Sequence, residues 1–185
     1  MLFLYYLRDM IQLVLAPVKG WEDISADGFD ARELLVKGLI PFVAVVSLSV
    51  YMHMIYNPDI SALILLQQAV VGFIKYFVTY FIATFAFTLY LPGVTDGELS
   101  MTKCHTFLIY GTGLLALCGF IQNLMPVDMA LVLVLPVYVF YILWRGLRYL
   151  NISFSGVGTF MLITLFAVIV PPYFIQYIFN LILPS

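Results

Sequence analysis

Between residues 38 and 183 the sequence is a series of five apolar stretches, each 20 residues or longer, and a single charged side chain, Lys75, lies deep inside one of them. About 20 apolar residues in a helix cross a hydrocarbon core of about 30 Å. The chain is 64% hydrophobic and 10% charged, whereas a soluble domain is about 25% charged. That leaves too little polar side chain to cover a water-soluble globule. The expected fold is an all-α integral membrane protein, a five-helix transmembrane bundle preceded by an interfacial amphipathic helix.

Ten of the 18 charges fall within the first 37 residues. The chain therefore divides into a cytoplasmic or interfacial amino-terminal segment, 1–33, and a membrane domain, 34–185. The spans are expected at about 38–57, 62–91, 104–125, 128–150 and 157–183. Asn57-Pro58-Asp59 closes the first as a turn, Pro92-Gly93 and Asp96-Gly97-Glu98 form the loop after the second, and Pro126 ends the third. Pro41 in the first span and Pro171-Pro172 in the fifth remove backbone donors, which predicts kinks or an interruption. Asp30 and Glu33 have the spacing of a capping box, and Ser100 or Thr102 is placed to cap the third span. Short connections make successive spans antiparallel neighbours.

Residues 2–16 are too short to span. Tyr5, Arg8, Asp9 and Gln12 recur at helical spacing as one polar stripe, which suits a helix lying in the membrane interface. Packing of that helix against the bundle is the alternative. The stretch lacks a basic start and a small-x-small cleavage site, so it reads as mature protein rather than a signal peptide. Its removal is expected to leave the bundle inserted. After Pro17 the chain turns polar, with Trp21 expected as an interfacial anchor; Trp144, Arg145 and Arg148 are expected to anchor the end of the fourth span. Seven Lys and Arg residues fall in the amino-terminal segment, the second-to-third loop and the fourth-to-fifth region, and none in the opposite loops or the carboxyl tail. By the positive-inside rule the amino terminus is cytoplasmic and the carboxyl terminus outside.

Several short stretches carry a resemblance. Pro17 to Ile24, reading PVKGWEDI, stands just before the first span; Gly97-Glu98-Leu99-Ser100 is followed by Tyr110; Trp144-Arg145-Gly146-Leu147 precedes Ser153 and Ser155. Together these resemble the Yip-domain (Ypt/Rab-interacting protein) family of five-span membrane proteins, in its short bacterial type, over about residues 12–183. The resemblance implies five membrane helices, a cytoplasmic amino terminus and a multi-pass place in the bacterial cytoplasmic (inner) membrane. For the eukaryotic relatives it implies vesicle trafficking through Rab-type GTPases and partner membrane proteins.

Reactive constellations are missing. HExxH, GxSxG, Walker and dinucleotide-binding patterns do not occur, so no catalytic, cofactor or metal site is assigned and the chain is not read as an enzyme. A net charge of −2 with scattered basic residues leaves no footprint for nucleic acid. His53 and His105 fall at opposite ends of the membrane and cannot share an ion. Cys104 and Cys118 lie about 21 Å apart on one helix, too far for a disulfide, and read as packing residues. Gly111-Thr112-Gly113 lies within a span and reads as a place where helices approach closely.

Lys75 escapes such explanations. A lysine at the centre of a span costs about 2.5–3.5 kcal/mol. Gln68, Gly72 and Thr79 share its helix face, a polar and small stripe expected to look into the bundle. Lys75, Gln68, Thr79 and Gln122 form the candidate intramembrane polar site, within a cavity expected to open toward Lys103, Arg145 and Arg148. Snorkelling of Lys75 to an interface is the alternative. The expected function is a non-enzymatic membrane scaffold or interaction protein of the Yip type, binding membrane lipids or other membrane proteins. The alternative is a small transporter or channel component with a cavity around Lys75.

Overall fold

The computed structural model describes residues 1–95, 100–125 and 129–183, with 129–133 described by backbone only. The described residues are overwhelmingly helical, and the extended pairing among them is one isolated bridge between Thr95 and Ile152. Two helices, α1 (Leu2–Leu15) and α2 (Pro17–Asp27), precede the bundle. The bundle comprises α3 (Ala31–Ile55), α4 (Ala62–Gly93), α5 (Met101–Leu124), α6 (Met129–Arg145) and α7 (Phe154–Ile182). Four of these, α3, α4, α5 and α7, are long and apolar enough to cross a membrane. The 17 residues of α6 extend about 25 Å, short of a full hydrocarbon core. The chain is an all-α membrane bundle.

Helix α5 occupies the centre. It is buried on most sides from Cys104 to Gly119, and α1, α3, α4, α6 and α7 pack around it. A helix apolar all round needs such enclosure. The outer faces of α4 and α7 carry Leu66, Val70, Phe81, Phe85, Phe166, Phe174 and Leu181, all exposed. In water that surface would be an aggregation liability; in a bilayer it meets lipid.

Both proline sites follow a π-helical turn, Leu35–Leu39 before Pro41 and Leu165–Ile169 before Pro171-Pro172. Proline lacks an N–H and crowds the carbonyl four residues earlier, and a wider turn relieves that crowding. The helices thus continue past their prolines. Pro136 inside α6 is a further break in the ladder, one the sequence reading passes over. Asp30 stands at the N-cap of α3 without donating or accepting a side-chain cap bond, and Glu33 binds Lys37 at 2.7 Å. The capping box is therefore replaced by an i,i+4 ion pair. Ser100 does cap α5, accepting from the Lys103 N–H at 3.4 Å. Pro126, Asp96, Gly97 and Glu98 lie outside the described residues.

The segment after Pro17, expected only to be polar, is helix α2. Pro17 takes a first-turn position, where a missing donor costs nothing, and Gly28 ends the helix at φ 59°. Helix α1 meets the bundle and also keeps an outer apolar face. Tyr6, Met10 and Leu13 are buried, while Leu4, Ile11 and Leu15 stay exposed. Of its polar stripe, Tyr5 and Arg8 stay exposed, Asp9 is 2% exposed and accepts from Tyr110, and Gln12 donates to Asp23 on α2. Arg8 pairs with both Asp9 and Asp27. Removing residues 1–16 would therefore take three side chains, Tyr6, Met10 and Leu13, out of the core.

Trp21, expected as an interfacial anchor, packs inside the protein. It is 3% exposed, stacks on Phe107 at 5.0 Å and donates its indole N–H to the Ile142 carbonyl at 3.0 Å. That carbonyl belongs to the last turn of α6, where the Gly146 N–H turns back to Leu143 and leaves it without an intrahelical donor. A tryptophan that closes a helix end inside the protein does not present its ring to the headgroups. Trp144, Arg145 and Arg148 are exposed at this end, with Arg145 5.6 Å from the Tyr141 ring centre. Ser153 fastens the neighbouring loops, since its N–H and hydroxyl both donate to the Val94 carbonyl, at 2.9 and 2.8 Å.

Candidate functional site

Four helices converge on a polar cavity of about 360 Å³. Helix α4 contributes Gln68, Gly72, Lys75 and Tyr76, α5 contributes Gly119, Gln122 and Asn123, α7 contributes Gln176 and Asn180, and α3 contributes Ser47 and His53. Positions 68, 72 and 75 repeat at i, i+4 and i+7, as do 176 and 180 at i, i+4, so each helix turns one face inward. Gln68 and Asn180 are exposed and form the mouth, whereas Ser47, Tyr76 and Gly119 are buried and form the floor.

Lys75 reaches Gln176, donating from Nζ to Oε1 at 3.1 Å, and its ammonium lies 5.0 Å from the Tyr76 ring centre. Gln176 in turn donates to Asn180 Oδ1 at 2.9 Å, and Asn123 donates to Ser49 Oγ at 2.9 Å. The side-chain amides of Gln68 and Gln122 make no hydrogen bond with the described residues, although both line the cavity. Among the described residues no carboxylate lines it and no acidic side chain pairs with Lys75. The described residues thus offer one cation and several amides.

Lys75, Gln68 and Gln122 come together as the sequence suggests, but Thr79 does not. Thr79 is fully buried and donates its hydroxyl to the Lys75 carbonyl at 2.6 Å, along its own helix. His53, Gln176 and Asn180 were missed. The polar pair Gln176 and Asn180, at i, i+4 in an apolar span, was the signal available for two of them.

The cavity also faces the other way. It lies among Gln68 near the start of α4, Asn123 near the end of α5 and Asn180 near the end of α7, whereas Lys103 begins α5. It therefore opens at the end opposite Lys103, Arg145 and Arg148. Helical side chains lean toward their own amino-terminal end, and α4 begins at this end, so Lys75 leans toward Ser61. At the floor Tyr76 Oη packs against Gly119, leaving no room for a Cβ there. His105 lies beyond this floor, hydrogen-bonded to Tyr80 at 2.9 Å, apart from His53. Cys104 and Cys118 are both buried.

Such an arrangement can hold an anionic or strongly polar group. Among the described residues no cluster of His, Cys, Asp or Glu is arranged to bind a metal. A family model for the Yip1 domain matches residues 11–175. No curated protein and no solved structure matches the chain. Of the residues that carry the earlier resemblance, Tyr110 holds Asp9, Gly146 packs on Phe107 and Trp21, and Ser153 ties two loops together. Gly97, Glu98 and Leu99 lie outside the described residues.

Proposed function

The chain belongs to the Yip1 domain family, and from that membership we propose that it is a non-enzymatic membrane interaction protein, binding lipids or membrane-protein partners from within the bilayer. The observation that carries this reading is the cavity around Lys75, whose amides and ammonium suit holding a polar group. In this reading α6 is a fifth span, the amino terminus is cytoplasmic and the protein resides in a bacterial inner membrane. The cavity then opens on the outer side.

A small transporter or channel component is the second reading. The cavity favours it, and the contact of Tyr76 with Gly119 under the cavity speaks against an open path. Crosslinking in native membranes, followed by purification of the full chain, tests the first reading. A defined set of co-purifying lipids or proteins is expected. Recovery of nothing beyond an unrelated five-span control would count against it.

A further inference from the structure

The polar cavity continues sideways. A second hollow of about 250 Å³ shares Gln68, Gln176 and Asn180 with it and is completed by Gln67, Ile64, Val71 and Leu183. Those apolar residues belong to α4 and the end of α7, whose outer faces carry the exposed side chains that meet lipid. A polar chamber with a cation at its inner end therefore joins a hollow of mixed lining at the bundle's flank, between two helices whose outer faces meet lipid.

Charge and hydrogen bonding narrow the occupant. Among the described residues Lys75 has no carboxylate partner, and an ammonium without a counter-charge at this depth is costly. A neutral solute leaves that cost in place. A phosphodiester brings one negative charge and several acceptor oxygens, matching the Lys75 ammonium and the unengaged amides of Gln68 and Gln122. The cavity is at the small end of the range for ligand sites, about 300–1,000 Å³, which fits a headgroup rather than a whole lipid.

We propose that this cavity holds the headgroup of one anionic phospholipid, its phosphate on Lys75 with Gln68 and Gln122. The proposal rests on the binding function argued above and names its ligand class. Lys75 then both snorkels toward the Ser61 end and serves a cavity, so the two alternatives for this residue describe one arrangement.

The test uses the delipidated full chain in mild detergent, with retained lipid read by native mass spectrometry. The probes are phosphatidylglycerol, phosphatidylcholine, diacylglycerol and inorganic phosphate. The wild type is expected to retain one phosphatidylglycerol in preference to the other lipids. Lys75→Met should weaken retention about tenfold or more, the scale of one charge-assisted hydrogen bond. Lys75→Arg should restore most of it, and Lys103→Met, at the other end of the bundle, should leave it unchanged. Gln122→Leu, which keeps the cation, should weaken it less than Lys75→Met, with an unchanged melting temperature. Equal retention by the wild type and Lys75→Met would overturn the proposal, as would equal retention of phosphatidylcholine or diacylglycerol. Binding of inorganic phosphate without phosphatidylglycerol would overturn the lipid assignment while leaving a binding function standing. Binding of none of the four probes would overturn the lipid site, and native-membrane crosslinking then decides the broader function separately.

Discussion

Tyr110 donates a hydrogen bond to Asp9 at 2.8 Å, joining the middle of the central helix to a carboxylate 101 residues earlier. The same carboxylate receives Arg8 at 2.7 Å through its other oxygen, and Tyr6 stacks on Tyr110 with ring centres 5.1 Å apart. The amino-terminal helix is therefore fixed to the bundle by a buried polar contact as well as by apolar packing. Burying a carboxylate is unfavourable without such partners, so each partner matters more than its number suggests.

Removing the phenol tests this directly. Tyr110→Phe takes a donor from a buried carboxylate and should cost about 1.5–3 kcal/mol. Proteolysis within α1 and α2, with the bundle still protected, should become faster in this variant. Unchanged protection of residues 1–27 would show that the bond does not hold the helix.

Two glycines give a matched comparison. A Cβ at Gly113 would run into Tyr6 Oη, whereas one at Gly158 meets nothing within 4 Å. Gly113→Ala should destabilise by about 1–3 kcal/mol through overpacking. Gly158→Ala, inside a helix, should be neutral or stabilising by up to about 1 kcal/mol. Thermal unfolding of the two variants in detergent checks the contrast, and equal melting temperatures would contradict it.

The sequence made the class of fold legible because hydrocarbon imposes a length and a polarity that composition alone reveals. It was less clear about the amino-terminal residues. Amphipathic spacing says that α1 has two faces, but Asp9 looks solvent-directed until Tyr110, far along the chain, is brought beside it. Trp21 misleads for the same reason: its position near a span suggests a headgroup anchor, and only the fold supplies Ile142 and Phe107. Lys75 stood out because a charge inside a span is rare. The direction of its cavity depends on which helices face it, and spacing along one helix cannot give that.

Trp21→Phe keeps the stacked ring and removes the indole N–H. The Ile142 carbonyl would then lack its partner, at a cost of about 1–3 kcal/mol. The loss should appear as a lower melting temperature with unchanged membrane insertion. An unaltered melting temperature would mean that another donor satisfies the α6 end.

Orientation can be read with single cysteines in a variant lacking Cys104 and Cys118. A cysteine at Ser61 should react with an impermeant reagent applied to intact cells, and cysteines at Ser25 and Ser100 should stay protected. Labelling at Ser25 and Ser100 with protection at Ser61 would invert the topology and move the cavity to the cytoplasmic side.

The account rests most heavily on the cavity being an occupied binding site, and photo-crosslinking in native membranes measures that most directly. A photoreactive residue replacing Gln68 at the cavity mouth is compared with one replacing Phe81, which faces outward on the same helix. The account predicts one dominant phosphorus-containing adduct at position 68, lost when Lys75→Met is added, and a broad mixture of lipids at position 81 that this change leaves alone. The same mixture at both positions, indifferent to Lys75, would contradict it.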